Sequence, residues 1–154
     1  MSNYEVDYPT VETPDNVNLS ARIFKPKDEI KDSLVVVLVQ WAPIAGSVVD
    51  QVEQVVGYVS LGYPFGMMAS ILFGRHHKAI LGSSKPKLFV MGTRDGFTSV
   101  KQLENKLKSA AGHNETHLIE GVSHFEMEGP AYDAAMVELI LKFIDSLGDK
   151  QPVL

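Results

Sequence analysis

Apolar and polar positions change rhythm along the chain. Near the start they alternate singly: Tyr4, Val6 and Tyr8 are interleaved with Glu5 and Asp7, and Leu19, Ala21 and Ile23 with Ser20 and Arg22. A period of two puts one set on one face of a sheet, so both stretches predict half-buried strands. Pro14-Asp15-Asn16 between them carries turn chemistry. The two strands are expected to pair as an antiparallel hairpin with a long connection, followed by a charged surface loop from Pro26 to Ser33.

The rhythm then stops. Leu34-Val-Val-Val-Leu-Val39 is unbroken, short and β-branched, which suits a strand covered on both faces. A helix is expected from about Pro43 to Val55, with proline near its start, then a second buried strand over Val56 to Ser60. Met67 to Phe73 reads as helical, and Gly74-Arg75-His76-His77-Lys78 breaks that apolar run. Lys87 to Met91 is a third buried strand, entered through Pro86.

A helical period takes over at Ser99 to Ala111. Ser99 and Gln102 make a capping box, Val100, Leu103 and Leu107 line one face, and Gly112 can close the end in the left-handed region. Thr116 to Ile119 is a short strand. Tyr132 to Leu147 is an amphipathic helix with Val137, Ile140, Ile144 and Leu147 inward and Gly148 as its stop. Such alternation predicts an α/β fold: a mostly parallel sheet with helices on both faces, preceded by an antiparallel hairpin. No repeat or compositional break divides residues 1–154. One domain is expected, with the hairpin and loop in 1–33 and the alternating core in 34–147.

Composition narrows the function. The 154 residues are 45% hydrophobic, enough for a real core, and 19 acidic against 14 basic residues give a net charge of −5. A nucleic-acid binder would show a basic patch, and the longest charged stretch, Lys25 to Asp32, mixes both signs. With no cysteine, thiolate nucleophiles, disulfides, Fe–S clusters and cysteine zinc sites drop out, and a reducing, cytoplasmic setting fits. The first residues have neither a basic nor an apolar signal region. Gln54 to Gly74 is uncharged over about the length of a membrane span. Gly57, Gly62, Pro64 and Gly66 interrupt it, however, so a buried strand running into a loop and helix is the better reading. No span is expected.

In an open parallel sheet, ligands bind beyond the carboxyl ends of the strands. Gly92-Thr93-Arg94-Asp95-Gly96-Phe97-Thr98 follows one strand and Glu120-Gly121-Val122-Ser123-His124-Phe125 the next. Asp95 and His124 should therefore project from neighbouring strand ends. A carboxylate beside an imidazole fixes its tautomer and stabilises the imidazolium, which makes a competent general base. Taken singly, Asp95 would cap a turn and His124 would be a loop residue; together, the placement favours a functional pair.

Leu88-Phe-Val-Met-Gly-Thr-Arg-Asp-Gly-Phe97 and Gly121-Val-Ser-His-Phe-Glu126, with Val56-Gly-Tyr-Val-Ser-Leu-Gly-Tyr-Pro64 before them, resemble the α/β-hydrolases. The likeness is to the small serine-hydrolase-like members of plants and other eukaryotes, and runs from about Ala42 to Leu147. It implies Asp95 as the catalytic acid, His124 as the base, and a small-molecule ester or amide as substrate. In that family the nucleophile sits in G-x-S-x-G at a strand-to-helix turn. Here Ala42-Pro-Ile-Ala-Gly-Ser47 resembles the helix that follows this elbow. Counting back, the five positions fall on Val37-Leu38-Val39-Gln40-Trp41, with Val39 in the serine's place and no flanking glycine. The chain reads as a reduced α/β-hydrolase fold with its middle excised, as alternative splicing or a shortened gene model would produce. Acid and base are kept, the nucleophile is missing, and weak or absent activity is expected; the alternative is a binding protein derived from a hydrolase.

No other serine fits the elbow. Ser60 ends a strand but follows Tyr58-Val59 rather than a glycine; Ser47 lies inside a helix; Ser123 adjoins His124 and points away if the loop is extended. His76-His77 reads as a solvated helix end, since adjacent helical residues face different ways. His113 and His117 have no ligand partner at a recognisable spacing, so no metal is expected. Gly92 and Gly96 make neither G-x-G-x-x-G nor a P-loop, so no cofactor is expected. Glu126 and Glu128 could line a pocket rim or cap the last helix, and Met67-Met68 reads as core. The unprotected Leu34–Val39 strand raises the expectation of self-association.

Overall fold

The computed structural model describes the backbone of residues 4–7, 10–12, 18–20, 23–26, 34–39 and 148. It describes backbone and side chains at 43, 46–47, 49–51, 53, 55–127 and 129–147. The chain falls into two units, Met1–Ser33 and Leu34–Leu154.

In the first unit, strand β1 (Tyr4–Asp7) pairs antiparallel with β4 (Ile23–Pro26), and β2 (Thr10–Glu12) with β3 (Asn18–Ser20). An antiparallel hairpin is thus present, but in another pairing than expected: Tyr4–Asp7 lies against Ile23–Pro26, so Pro26 ends a strand rather than opening the charged loop, and Thr10–Glu12 with Asn18–Ser20 forms the pair nearer the turn. Tyr8, Ala21 and the Pro14–Asn16 turn lie outside the described residues.

The second unit holds a parallel sheet of β5 (Leu34–Val39), β6 (Val55–Leu61), β7 (Lys87–Gly92) and β8 (Asn114–Ile119), in that spatial order. Helix α1 (Met67–Gly82) joins β6 to β7, and α2 (Val100–Leu107) joins β7 to β8. Beyond β8 come the single turn α3 (His124–Met127), a 3-10 turn at Pro130–Tyr132 and α4 (Asp133–Gly148).

The two-residue period of the central strands divides the core. Tyr58, Phe89 and Met91 pack with Val49, Tyr63, Phe65, Ile80 and Leu103 on the face covered by α1 and α2. Val59, Leu88 and Val90 pack with Val122, Met127, Met136, Ile140 and Phe143 on the face covered by α3 and α4. Register makes this consistent, since Val59 pairs with Leu88 and Leu61 with Val90. Every side chain of β7 is buried. That includes Lys87, whose ammonium donates to the carbonyls of Ser83 (2.5 Å), Ala111 (2.8 Å) and Lys85 (3.0 Å). A buried cation is tolerated when its protons are all placed, and three carbonyls place them.

Several expectations need correction. The helix expected over Pro43 to Val55 gives way before its end: Val49–Gln51 is a 3-10 turn, and Val55 already belongs to β6. The Gly74–Lys78 segment does not stop its helix. Phe73 leaves helical geometry at φ −119°, ψ 18°, and α1 resumes to Gly82. His77 is consequently not a solvated end but a buried ring, packed against Tyr63 and Phe65. Met67 and Met68 are exposed rather than core. The Ser99–Gln102 capping box forms with both of its hydrogen bonds, although its helix ends at Leu107 rather than Ala111. Gly112 takes its positive φ of 70° in the loop that follows.

Candidate active site

The loop after β7 turns sharply, with Asp95 N–H donating to Gly92 C=O at 3.1 Å. It is stitched to the loop after β8: Thr93 N–H donates to Ile119 C=O (2.9 Å), Arg94 N–H to Val122 C=O (3.0 Å), and Gly121 N–H to Thr93 Oγ1 (2.9 Å). Gly92 is needed here, because a Cβ would collide with the Val122 carbonyl. Asp95 and His124 are thus carried on two loops that share backbone bonds.

Asp95 uses both carboxylate oxygens. Oδ1 accepts from the backbone N–H groups of Phe97 (2.7 Å) and Thr98 (2.8 Å), which is the Asx turn an Asp-Gly pair favours. Oδ2 lies 2.7 Å from His124 Nδ1. The carboxylate is 1% exposed and the imidazole 12%. Burial alone would raise the Asp95 pKa, but the hydrogen bonds from His124, Thr98 and Phe97 outweigh it and hold the carboxyl below its usual range. An ionised carboxylate opposite Nδ1 places the proton on that nitrogen.

Three neighbours set the ring's position. Gly62 follows β6 with φ +71°, and a Cβ there would stand 2.7 Å from His124 Cε1 and 2.9 Å from Nδ1. Phe97 meets the imidazole edge-on at a centroid distance of 4.8 Å, and Phe125 does so at 5.4 Å. Thr98 ties this loop to the β6 loop, donating from Oγ1 to Tyr63 C=O (2.9 Å) and accepting from Phe65 N–H (2.7 Å). Sequence reasoning singled out none of these four. A glycine directly after a buried strand and an Asp-x-x-Thr spacing were the signals available.

The imidazole therefore starts at the end of β8, bonds over the end of β7 and rests against the end of β6. One strand further on is β5, whose last residue, Val39, is in register with Leu61, the residue before Gly62.

The serines lie elsewhere. Ser60 is fully buried on the Tyr58 side of β6, the face opposite α3. Ser47 Oγ is 2.8 Å from His76 Nδ1. Ser123 precedes α3, where its N–H donates to Glu126 Oε2 (2.8 Å) and its C=O accepts from Met127 N–H (3.1 Å). Glu126 thus caps α3 rather than the last helix, and hydrogen bonds from the Ser123 hydroxyl and backbone N–H hold its carboxyl below the usual range. His113 Nε2 lies 2.8 Å from Glu115 Oε1 at the surface. Among the described residues no group of three or more His, Asp or Glu side chains could hold a metal ion.

No protein-family profile matches the chain, and no curated protein matches it. Solved structures do. An α/β serine hydrolase homologue from Coxiella burnetii superimposes with a TM-score of 0.55 at 17% identity, over 71% of this chain and 48% of that one. The esterase domain of a Rhodothermus marinus protein gives 0.60 at 9% identity, over 89% and 96%. An esterase from Pyrococcus furiosus gives 0.57 at 12% identity, over 94% and 91%. The chain spans about half the length of the Coxiella protein and nearly all of the Rhodothermus domain. The shared architecture is the α/β-hydrolase fold, present here in reduced form with an antiparallel hairpin before it.

Proposed function

We propose that this chain, with its α/β-hydrolase fold, keeps the acid and base of an ester or amide hydrolase but does not acylate. The observation that carries the reading is the 2.7 Å contact between Asp95 Oδ2 and His124 Nδ1 at the carboxyl ends of β7 and β8. That is where acid and base belong in such a sheet. In the full reaction a serine attacks the carbonyl, the histidine takes its proton, and backbone amides stabilise the oxyanion. Val39 stands at the end of the strand that would offer that serine, and its side chain has no oxygen. Ser60 and Ser123 are committed to the core and to a helix cap.

What remains is an oriented imidazole that can deprotonate water, an effect of about 10²–10⁴-fold without a covalent intermediate. The test is a fluorophosphonate probe on protein that melts cooperatively. No covalent label is expected, and residual ester turnover should fall to background in His124→Ala. A labelled serine overturns the reading.

A second reading, a hydrolase-derived interaction protein, is favoured by the position of β5. Among the described strands it has a neighbour on one side only, and Leu34–Val39 carries no charge or proline to discourage pairing. Partner binding indifferent to His124→Ala would support this alternative.

A further inference from the structure

Helix α1 turns His77 and Ile80 into the core and leaves Met67, Met68, Ile71 and Leu72 at 74%, 68%, 72% and 68% exposure. Met67, Met68, Ile71 and Leu72 share one side of the first half of the helix, and beyond the kink at Phe73 the cations Arg75 and Lys78 are exposed on the second half. The helix therefore carries exposed aliphatic side chains before its kink and two exposed cations after it. The surrounding sequence matches. Between Glu53 and Asp95 there is no acidic residue, and besides the buried Lys87 the cations Arg75, Lys78, Lys85 and Arg94 fall in that interval, although the whole chain is at −5.

From this face we infer that α1 docks in the plane of an anionic lipid surface. The charge is complementary to such a surface. The four aliphatic side chains stand outward from a helix rather than lining a shaped groove. That suits fluid hydrocarbon better than a protein partner, whose contacts need fitted pockets. No helix among the described residues is long and apolar enough to cross a bilayer.

The patch reaches the candidate site. Gly66, the residue before α1, sits so close to the Phe97 carbonyl that a Cβ there would collide with it. Phe97 and Phe125, each at least half exposed, flank His124. These rings extend the apolar surface to the edge of the Asp95–His124 pair. The docking itself does not depend on that pair being catalytic.

Co-sedimentation of the full chain with vesicles of phosphatidylcholine alone, or of phosphatidylcholine with 30% phosphatidylglycerol, tests the inference. Binding to the anionic vesicles at least tenfold tighter than to the neutral ones, weakening as salt is raised, is expected. Ile71→Ser/Leu72→Ser and Arg75→Glu/Lys78→Glu alter exposed positions only, and each pair should weaken that binding about tenfold or more with an unchanged circular dichroism spectrum. No sedimentation with either vesicle overturns the inference, as does wild-type binding by both double variants. A dimer that Ile71→Ser/Leu72→Ser dissolves also overturns it, because a second copy would then cover the face.

Discussion

A Cβ built on Gly62 would stand 2.7 Å from Cε1 of His124, inside any real carbon–carbon contact. The glycine also holds a φ of +71°, which side chains other than glycine's rarely adopt. Gly62→Ala therefore meets two penalties at once, backbone strain and a displaced imidazole. A loss of about 1–3 kcal/mol in stability is expected. Chemical denaturation should show it, together with a shift of the His124 ring resonances. Unchanged ring resonances would mean that the loop after β6 moves instead.

Asp95→Asn separates the two jobs of the carboxylate. The amide oxygen can still accept from Phe97 and Thr98, so the turn and the fold should survive. Its NH2 would then face His124 Nδ1, and a donor opposite that nitrogen favours the other tautomer. Nitrogen-15 chemical shifts of His124 should report the proton moving from Nδ1 to Nε2, with the melting temperature lowered by only a few degrees. Retention of the Nδ1–H form would show that something other than Asp95 sets the tautomer.

His77 gives the fold a dependence on acidity. Burial, with smaller contributions from Lys106 and His76, lowers its pKa from 6.5 to about 4. Between those two values the unfolded chain takes up a proton that the folded chain refuses, so stability is full above about pH 6.5 and declines as pH falls toward 4. At most about 3 kcal/mol is lost across that window. Urea titrations at pH 7 and pH 5 should show the decline in the wild type and a smaller one in His77→Leu. Equal declines would assign the effect to other groups.

Lys87 should be intolerant of an apolar replacement despite its burial. Lys87→Met fits the volume of the stem but leaves the carbonyls of Ser83 and Lys85 without this donor, while Ala111 C=O still accepts from Asn114 Nδ2. An unsatisfied buried acceptor costs about 1–3 kcal/mol, so a loss of about that size is expected from the shift in urea midpoint. A shift below about 0.5 kcal/mol would mean that the Ser83 and Lys85 carbonyls find new donors.

The strands were legible because their signals are dense. Leu34–Val39, Val56–Ser60 and Lys87–Met91 are runs in which nearly every residue is buried or β-branched, and each lies where expected with ends moved by at most a residue. Asp95 and His124 were legible through topology, since a strand end in a parallel sheet is a position that sequence alone can locate. Helix α1 misled because its period is blurred. Met67, Met68, Ile71 and Leu72 are apolar yet outward, while His77 is polar yet inward. An apolar count cannot separate a buried face from one kept for contact with something else. The setting of the imidazole was harder to read: a glycine after a strand and an Asp-x-x-Thr spacing are present, but that Gly62 and Phe97 flank the ring while Thr98 ties their loops together depends on three loops meeting in space.

The strand order β5-β6-β7-β8 follows the order of synthesis, so each new strand adds to a neighbour that has already left the ribosome. Helix α4 is the last of the described elements, and it supplies Met136, Ile140 and Phe143 to the side of the sheet that Val122 and Met127 also cover. Until residues 133–148 emerge, Val59, Leu88 and Val90 have no cover from it, and the nascent sheet is a natural client for a chaperone that holds apolar surface.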